Sequence, residues 1–454
     1  MPMGAPLDLE CRALRAAVGH AAGLDNLASL PAQLRHVNWA WILWLGRGHR
    51  ALVHLLAAVE TTRADIPAAA LASLRQFRFA TATDRLARTA ELLRLQREFD
   101  RCGLIVASAS GWALGERYPT SSTLRPLGAT LRYVIRSSMH DRGAHLLREL
   151  GYTVGAGHVL DLRTAQSRIT LDIEDDDDVW ARSERVTLSG VPLRLLSAAD
   201  WLRRLCRSRH RSARPLALYE ALDVLTLGRA AGVGDGVTLP SGDPVVADAW
   251  QFSHELLQKS DADDCPSDYP WRAITRGGDQ ATGTLSSLGR FAPSSMSVVD
   301  QMLAFAEIDA SDVVVDLGSG DGRLVIRAAE AYGVRGVGID QEPALIAASI
   351  AASERAGVAD RVTFTQADLM TADLSGATVI FLYLQGSFYG ALGRRLRSHL
   401  RPGVRVVSHN VGFPDWLPTK TAIVAGGTNR AVFLYLWTIE DGSVSLLEPA
   451  DATG

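Results

Sequence analysis

Lysine is almost missing from this chain: of 47 Lys and Arg residues only Lys259 and Lys420 are lysine. Mechanisms that need one, such as a P-loop phosphate clamp or a Schiff base, therefore have almost nowhere to sit. Cysteine is scarce too. Cys11, Cys102, Cys206 and Cys265 are scattered with no C-x-x-C pair, so neither a structural zinc site nor a disulfide framework is signalled, and a reducing cytoplasmic setting is expected. No apolar run approaches the ~18 residues of a membrane span, and residues 1–9 lack the charged start of a signal peptide, so no membrane partner is expected. There is also no basic excess. A net charge of −3 and a pI near 6.4 argue against nucleic acid as a partner held by bulk electrostatics.

What remains is globular. The 454 residues are 47% hydrophobic and 21% charged, with mean hydropathy +0.06, enough for two or three domains with a substantial core. Apolar residues at three and four spacing predict helices through most of residues 7–96, followed by a mixed α/β stretch to about residue 230. Turn formers dominate residues 233–290, which read as a linker, although residues 246–259 could hold a helix. From residue 291 onward short apolar runs alternate with helical patterns, which predicts a parallel sheet covered by helices. Two closing strands, at 421–424 and 431–437, can form a hairpin.

Residues 313–324, Val-Val-Val-Asp-Leu-Gly-Ser-Gly-Asp-Gly-Arg-Leu, describe a buried strand running through a glycine-rich turn into a helix, where backbone can approach a ligand closely. A dinucleotide fingerprint would need glycine three after Gly320, where Arg323 stands. The spacing is instead D-x-G-x-G-x-G, with Asp316, Gly318, Gly320 and Gly322. This resembles the class I S-adenosylmethionine (SAM) methyltransferases. Asp340 closes the second strand, where an acid can accept both ribose hydroxyls, and the third strand ends at Asp368-Leu369, where the resemblance implies a carboxylate on the adenine amino group and a backbone amide to the ring. The implied fold is a Rossmann-like seven-stranded methyltransferase sheet over about residues 291–437, in a catalytic domain spanning 291–454, with SAM as cofactor.

The loop after the fourth strand reads Phe381-Leu-Tyr-Leu-Gln-Gly-Ser-Phe-Tyr389. It has no N-P-P-Y or D-P-P-Y, which disfavours base and glutamine methylation, and no second carboxylate cluster supports metal-dependent catechol chemistry. The runs PSSMSVVDQML, VIFLYL and RPGVRVVSHNVGFPDW are similar to protein-lysine methyltransferases of the ATP synthase c-subunit type and their bacterial relatives. That similarity implies methylation of an amine, for which holding a neutral amine in line matters more than strong acid or base groups. Tyr383 and His409 are the candidate catalytic residues, with Tyr389 behind them; each also fits an ordinary core or rim position.

The first half resembles a bacterial nucleotidyltransferase-like family, with its motifs degraded. Ser110-Gly111 replaces a lysine-glycine turn, and Ala129 and Leu131 replace two metal-binding aspartates, leaving Asp172 as the one surviving acid. A single carboxylate cannot hold the two cations of nucleotidyl transfer, so residues 1–232 are expected to bind substrate rather than react, and no metal site is expected. The acidic run at 174–178 and the arginine-rich stretch at 203–214 read as solvated charge. The combined expectation is a two-domain enzyme. Residues 1 to about 280 recognise a peptide or protein, and residues from about 285 onward methylate it, as in peptide tailoring of bacterial natural products. A small-molecule N- or O-methyltransferase fits the same motifs, as does a binding protein that senses SAM or nucleotide without turnover.

Overall fold

A computed structural model describes residues 8–24, 27–109, 130–154, 159–162, 168–212, 218–231, 244–258, 293–426, 431–440 and 444. Ser110, Gly111, Ala129 and most of the 233–290 stretch lie outside these.

The chain opens with five helices, α1 (Asp8–Ala21), α2 (Leu30–Leu34), α3 (Trp39–Gly48), α4 (Leu52–Thr62) and α5 (Ala68–Arg101). Asn38 starts α3 by accepting the amides of Ala40 and Trp41 on its side-chain oxygen, satisfying donors that a helix start leaves unpaired. A mixed sheet follows, built from β1 (Val106–Ser108), β2 (Thr130–Ile135), β3 (Tyr152–Val154), β4 (Val159–Leu162), β5 (Arg168–Ile173), β6 (Glu184–Leu188) and β7 (Val191–Leu195). Its order is β3-β4-β5-β2-β1-β7-β6. The β6–β7 hairpin turns through Ser189 and Gly190, both at positive φ, the conformation that matches strand twist in two-residue turns.

The second sheet comprises β8 (Val313–Leu317), β9 (Arg335–Asp340), β10 (Val362–Gln366), β11 (Val379–Leu382), β12 (Arg405–His409), β13 (Lys420–Ala425) and β14 (Ala431–Thr438). The order is β10-β9-β8-β11-β12-β14-β13. β8 to β12 run parallel, while β14 is antiparallel to both β12 and β13, so the expected reversed hairpin at the end of the chain is present. Strand order changes direction between β8 and β11, the place where a doubly wound sheet opens a crevice at its carboxyl edge.

The packing goes beyond the sequence reading in two places. Pro244–Gln258, the helix allowed for within the linker stretch, packs on the helix Leu218–Ala230 and on α1; Leu256 and Leu257 are buried and Arg15 Nε donates to the Leu256 carbonyl at 2.8 Å. Glycine and proline on either side dominate the composition there and mask a buried helical face. The boundary near residue 290 also does not divide the packing. α3 and α5 lie against β13, Trp41 Nε1 donates to the Pro418 carbonyl, and Phe77 meets Phe433 edge to face at 5.7 Å. One continuous apolar core runs from α1 through the first sheet to Phe433, Tyr435 and Trp437.

The 34-residue α5 joins the two sheets. Its first half covers β13, and its second half packs on the first sheet, where Phe99 meets Tyr133 edge to face and the Tyr133 hydroxyl donates to the Leu92 carbonyl. The acidic run at 174–178 is not simply solvated. Asp176 caps the helix Asp177–Arg182 by accepting the Asp178 amide, Asp175 accepts the Ser137 amide, and Asp177 pairs with Arg136.

Candidate functional site

A cavity of about 740 Å³ opens at the carboxyl ends of β8, β9 and β11. Its floor is the glycine turn. Gly318, Gly320 and Gly322 all hold positive φ, which residues with a Cβ adopt only under strain. A Cβ on Gly318 would also stand 2.6 Å from the tip of the Leu384 side chain, so a larger residue there would be strained and would push Leu384 aside. Gly320 donates its amide to Asp340 Oδ2 at 2.9 Å, and Asp340 Oδ1 accepts the Glu342 amide at 3.0 Å. One carboxylate thus ties the turn after β8 to the helix start after β9, and each oxygen keeps a lone pair for a ligand.

Asp316, Gly318, Gly320, Asp340, Leu369 and Tyr383 line the cavity. The other candidates, Gly322, Asp368, His409 and Tyr389, stand back from it. Gly322 begins the helix Arg323–Tyr332 in the left-handed conformation, and a Cβ there would run into Phe364 and Ser349, so its requirement is packing. Asp368 is exposed and accepts the Met370 amide at 2.8 Å. His409 is 5% exposed, stacked behind Tyr383 with ring centroids 4.0 Å apart. Tyr389 is a core residue whose hydroxyl meets Ser408 Oγ at 2.7 Å.

Sequence reasoning missed several contributors. Ser319 lines the cavity, and its buried Oγ has no partner among the described residues. Ser294 holds His409 Nδ1 at 3.0 Å through its Oγ, while its carbonyl accepts Arg323 Nη1 at 2.8 Å. Nothing in the local pattern marks these two serines. Arg323 and Asp321 could have been found as neighbours of the motif; they pair at 2.5 Å.

Charge in the cavity is one-sided. Asp316, Asp321, Asp340 and Glu342 face it with Arg323, and Arg323 is taken up by Asp321. Burial, reinforced by Asp340 and Asp321, pushes the Asp316 carboxyl up to about 7. Against the opposing effect of burial, the Arg323 hydrogen bond holds Asp321 below the usual carboxylate range. Burial and then Arg47 bring His409 down to about 4, so its ring is uncharged near neutrality. An orphaned hydroxyl, backbone exposed at glycines and surplus carboxylate suit a nucleoside ligand that carries positive charge. SAM fits that description: Asp340 and the glycine turn can take its ribose, Leu369 its ring, and Asp316 with Ser319 its charged end. Among the described residues no group of three or more His, Cys, Asp or Glu could hold a metal ion, and no helix is long and apolar enough to cross a membrane.

Comparison with known proteins points to a SAM-dependent methyltransferase. Residues 316–420 match the ANTKMT methyltransferase domain. A protein-lysine N-methyltransferase of Saccharolobus islandicus is 34% identical over 148 residues, 32% of this chain and 92% of that protein. The mouse adenine nucleotide translocase lysine N-methyltransferase is 36% identical over 118 residues, 26% of this chain but only 50% of that one. Among solved structures, an RNA methyltransferase from Salinibacter ruber bound to S-adenosyl-L-homocysteine shows 44% identity, covering 35% of this chain and all of that chain, with a TM-score of 0.33.

Proposed function

Since this chain belongs to the SAM-dependent protein-lysine N-methyltransferase family, we propose that it methylates an amine of a peptide or protein presented at the Tyr383 side of the cavity. The observation that carries this reading is the surplus of carboxylate facing the cavity, Asp316, Asp340 and Glu342, with its one arginine already paired. Such a wall attracts a cationic donor and the ammonium form of an incoming amine alike.

Bound SAM supplies an electrophilic methyl group on positively charged sulfur. The chain's own part is to seat the donor, hold a neutral amine in line and exclude water. Asp340 fixes the glycine turn, and Asp316 sits where positive charge lowers the cost of its own ionisation. Tyr383, 40% exposed, is the group that meets the acceptor. His409 works behind it: with its ring value near 4 it takes no proton from an ammonium at neutral pH, and it orients Tyr383 by stacking.

We place acceptor recognition on the N-terminal half, whose α/β body we read as nucleotidyltransferase-like from its sequence motifs. Its surviving acid, Asp172, lies 3.9 Å from Arg204, which also pairs with Glu174. Arginine there supports binding in place of metal-dependent nucleotidyl transfer. The test is to incubate the full chain with deuteromethyl SAM and a lysine-containing peptide library and read mass gain. Labelled peptides should lose the label when lysine is replaced by arginine; label on small-molecule hydroxyls alone would overturn the reading.

A further inference from the structure

The wall behind Tyr383 is not built by the methyltransferase sheet alone. β12 ends at His409, and Asn410, the next residue, holds φ near 62°. That left-handed conformation is uncommon outside glycine and needs support from its surroundings. Asn410 is held by β14 on both sides: its amide donates to the Phe433 carbonyl at 2.7 Å, and its Oδ1 accepts the Phe433 amide at 2.9 Å. The third hold comes from about 360 residues earlier. Arg47, in the last turn of α3, donates from Nη1 to the Asn410 carbonyl and, at 2.8 Å, to the Tyr435 hydroxyl. Its guanidinium lies over the Phe433 ring, 4.3 Å from the centroid.

We propose that Arg47 is a positioning residue for the methyl-transfer site, clamping the Asn410 turn from outside the sheet and so fixing the His409 ring against Tyr383. The proposal rests on the reading of this cavity as the place of methyl transfer. Two further observations support it. His409 is held from three directions, by Tyr383 face to face, by Ser294 at Nδ1, and by Arg47 through Asn410. Arg47 is also the charge that acts on His409, adding to burial in keeping the ring uncharged. Among the described residues, Arg323, which bonds the Ser294 carbonyl, and its partner Asp321 also bring charge to this wall. A guanidinium suits the task because its planar fork can bond two acceptors while stacking on an aromatic face, which an ammonium cannot do.

The test is nuclear magnetic resonance on the full chain with labelled histidine, His409 being assigned by the signal lost in His409→Gln. Arg47→Met keeps the apolar stem and removes the fork and the charge. Its His409 midpoint should rise by roughly half a unit to one unit, with weakened ring-to-ring contacts between His409 and Tyr383. Turnover of poly-L-lysine with tritiated SAM should fall about tenfold in kcat, while calorimetric affinity for S-adenosyl-L-homocysteine stays within about twofold. Arg47→Lys should restore the midpoint but only part of kcat. If Arg47→Met does not fold, Arg47→Lys and Tyr435→Phe carry the test, each loosening one hold and retaining the charge. Unchanged contacts between the His409 and Tyr383 rings, whatever the midpoint does, would overturn the clamp. Altered contacts with undiminished turnover would overturn its part in the reaction. Absence of poly-L-lysine turnover in the native chain counts against the functional reading, and the resonance measurements still decide the clamp.

Discussion

Ile423 in β13 donates its backbone amide to Ser73 Oγ of α5 across 3.3 Å, a bond between positions 350 residues apart. β13 is the edge of its sheet, and an edge strand with free backbone donors invites pairing with another chain. Here α5 and α3 cover it.

Deletion of residues 1–280 should therefore fail to leave a competent methyltransferase. The cut uncovers Ile423, Phe433 and Tyr435, each under 5% exposed, at about 1.5 to 3 kcal/mol for each large apolar side chain. That loss is comparable to the whole stability of an ordinary domain. Light scattering and urea titration of the fragment check this. A monomeric fragment as stable as the parent would show that the sheet needs no cover.

Asp340→Ala should cost about 2 to 4 kcal/mol of cofactor affinity, thirty-fold to several hundred-fold in Kd. It should also lower Tm, because the Gly320 and Glu342 amides lose their shared acceptor. Calorimetry with S-adenosyl-L-homocysteine is the measurement, and a folded variant with parental affinity would remove Asp340 from the site.

Cofactor affinity should depend on pH through Asp316. With its carboxyl near 7, a cationic ligand favours the ionised form, so binding below that value must expel a proton. Affinity for SAM then falls as pH drops from about 7 to 5, approaching tenfold per unit, and Asp316→Asn should flatten the profile. Calorimetry at pH 6 in buffers of different ionisation heat counts the proton; a count of zero rejects the assignment.

Acid should destabilise the fold early. Burial holds His49 and His54 near 3 and, with Arg47, His409 near 4, all below the unfolded value of 6.5. The unfolded chain binds more protons between those values, so stability is lost as pH falls from about 6.5 toward 4. His54 has both ring nitrogens buried without a partner among the described residues. His54→Leu should gain about 1 to 2 kcal/mol at pH 7 and soften the acid transition, read by urea denaturation. A lower urea midpoint would mean that the ring has a task not visible in its contacts.

How much of this was legible in the sequence depends on how local the cause is. The strand, glycine turn and helix from Val313 to Tyr332 could be read because strands buried on both faces make continuous apolar runs and glycine spacing is a backbone requirement. Asp340 followed from strand order. Ser319 and Ser294 could not be read, since a serine beside glycine or proline is ordinary and its role depends on what the fold brings near. Arg47 was invisible for a stronger reason. Periodicity shows that α3 buries one face, but not that the face lies against the far end of the chain. The helix Asp177–Arg182 was missed because acids read as solvated charge when each has a local backbone or arginine partner.

α5, with one half in the core of each sheet, has a thermodynamic consequence. A helix of 34 residues sharing one continuous core cannot melt at one end without exposing apolar surface at the other, so the two sheets should unfold as a single cooperative unit. Cofactor at one hundred times its Kd would then add about 2.7 kcal/mol to the opening of β2 and β5 as much as to that of β8. Amide hydrogen exchange can see this: strands in a sheet that never touches the ligand should slow by the same factor as those that hold it.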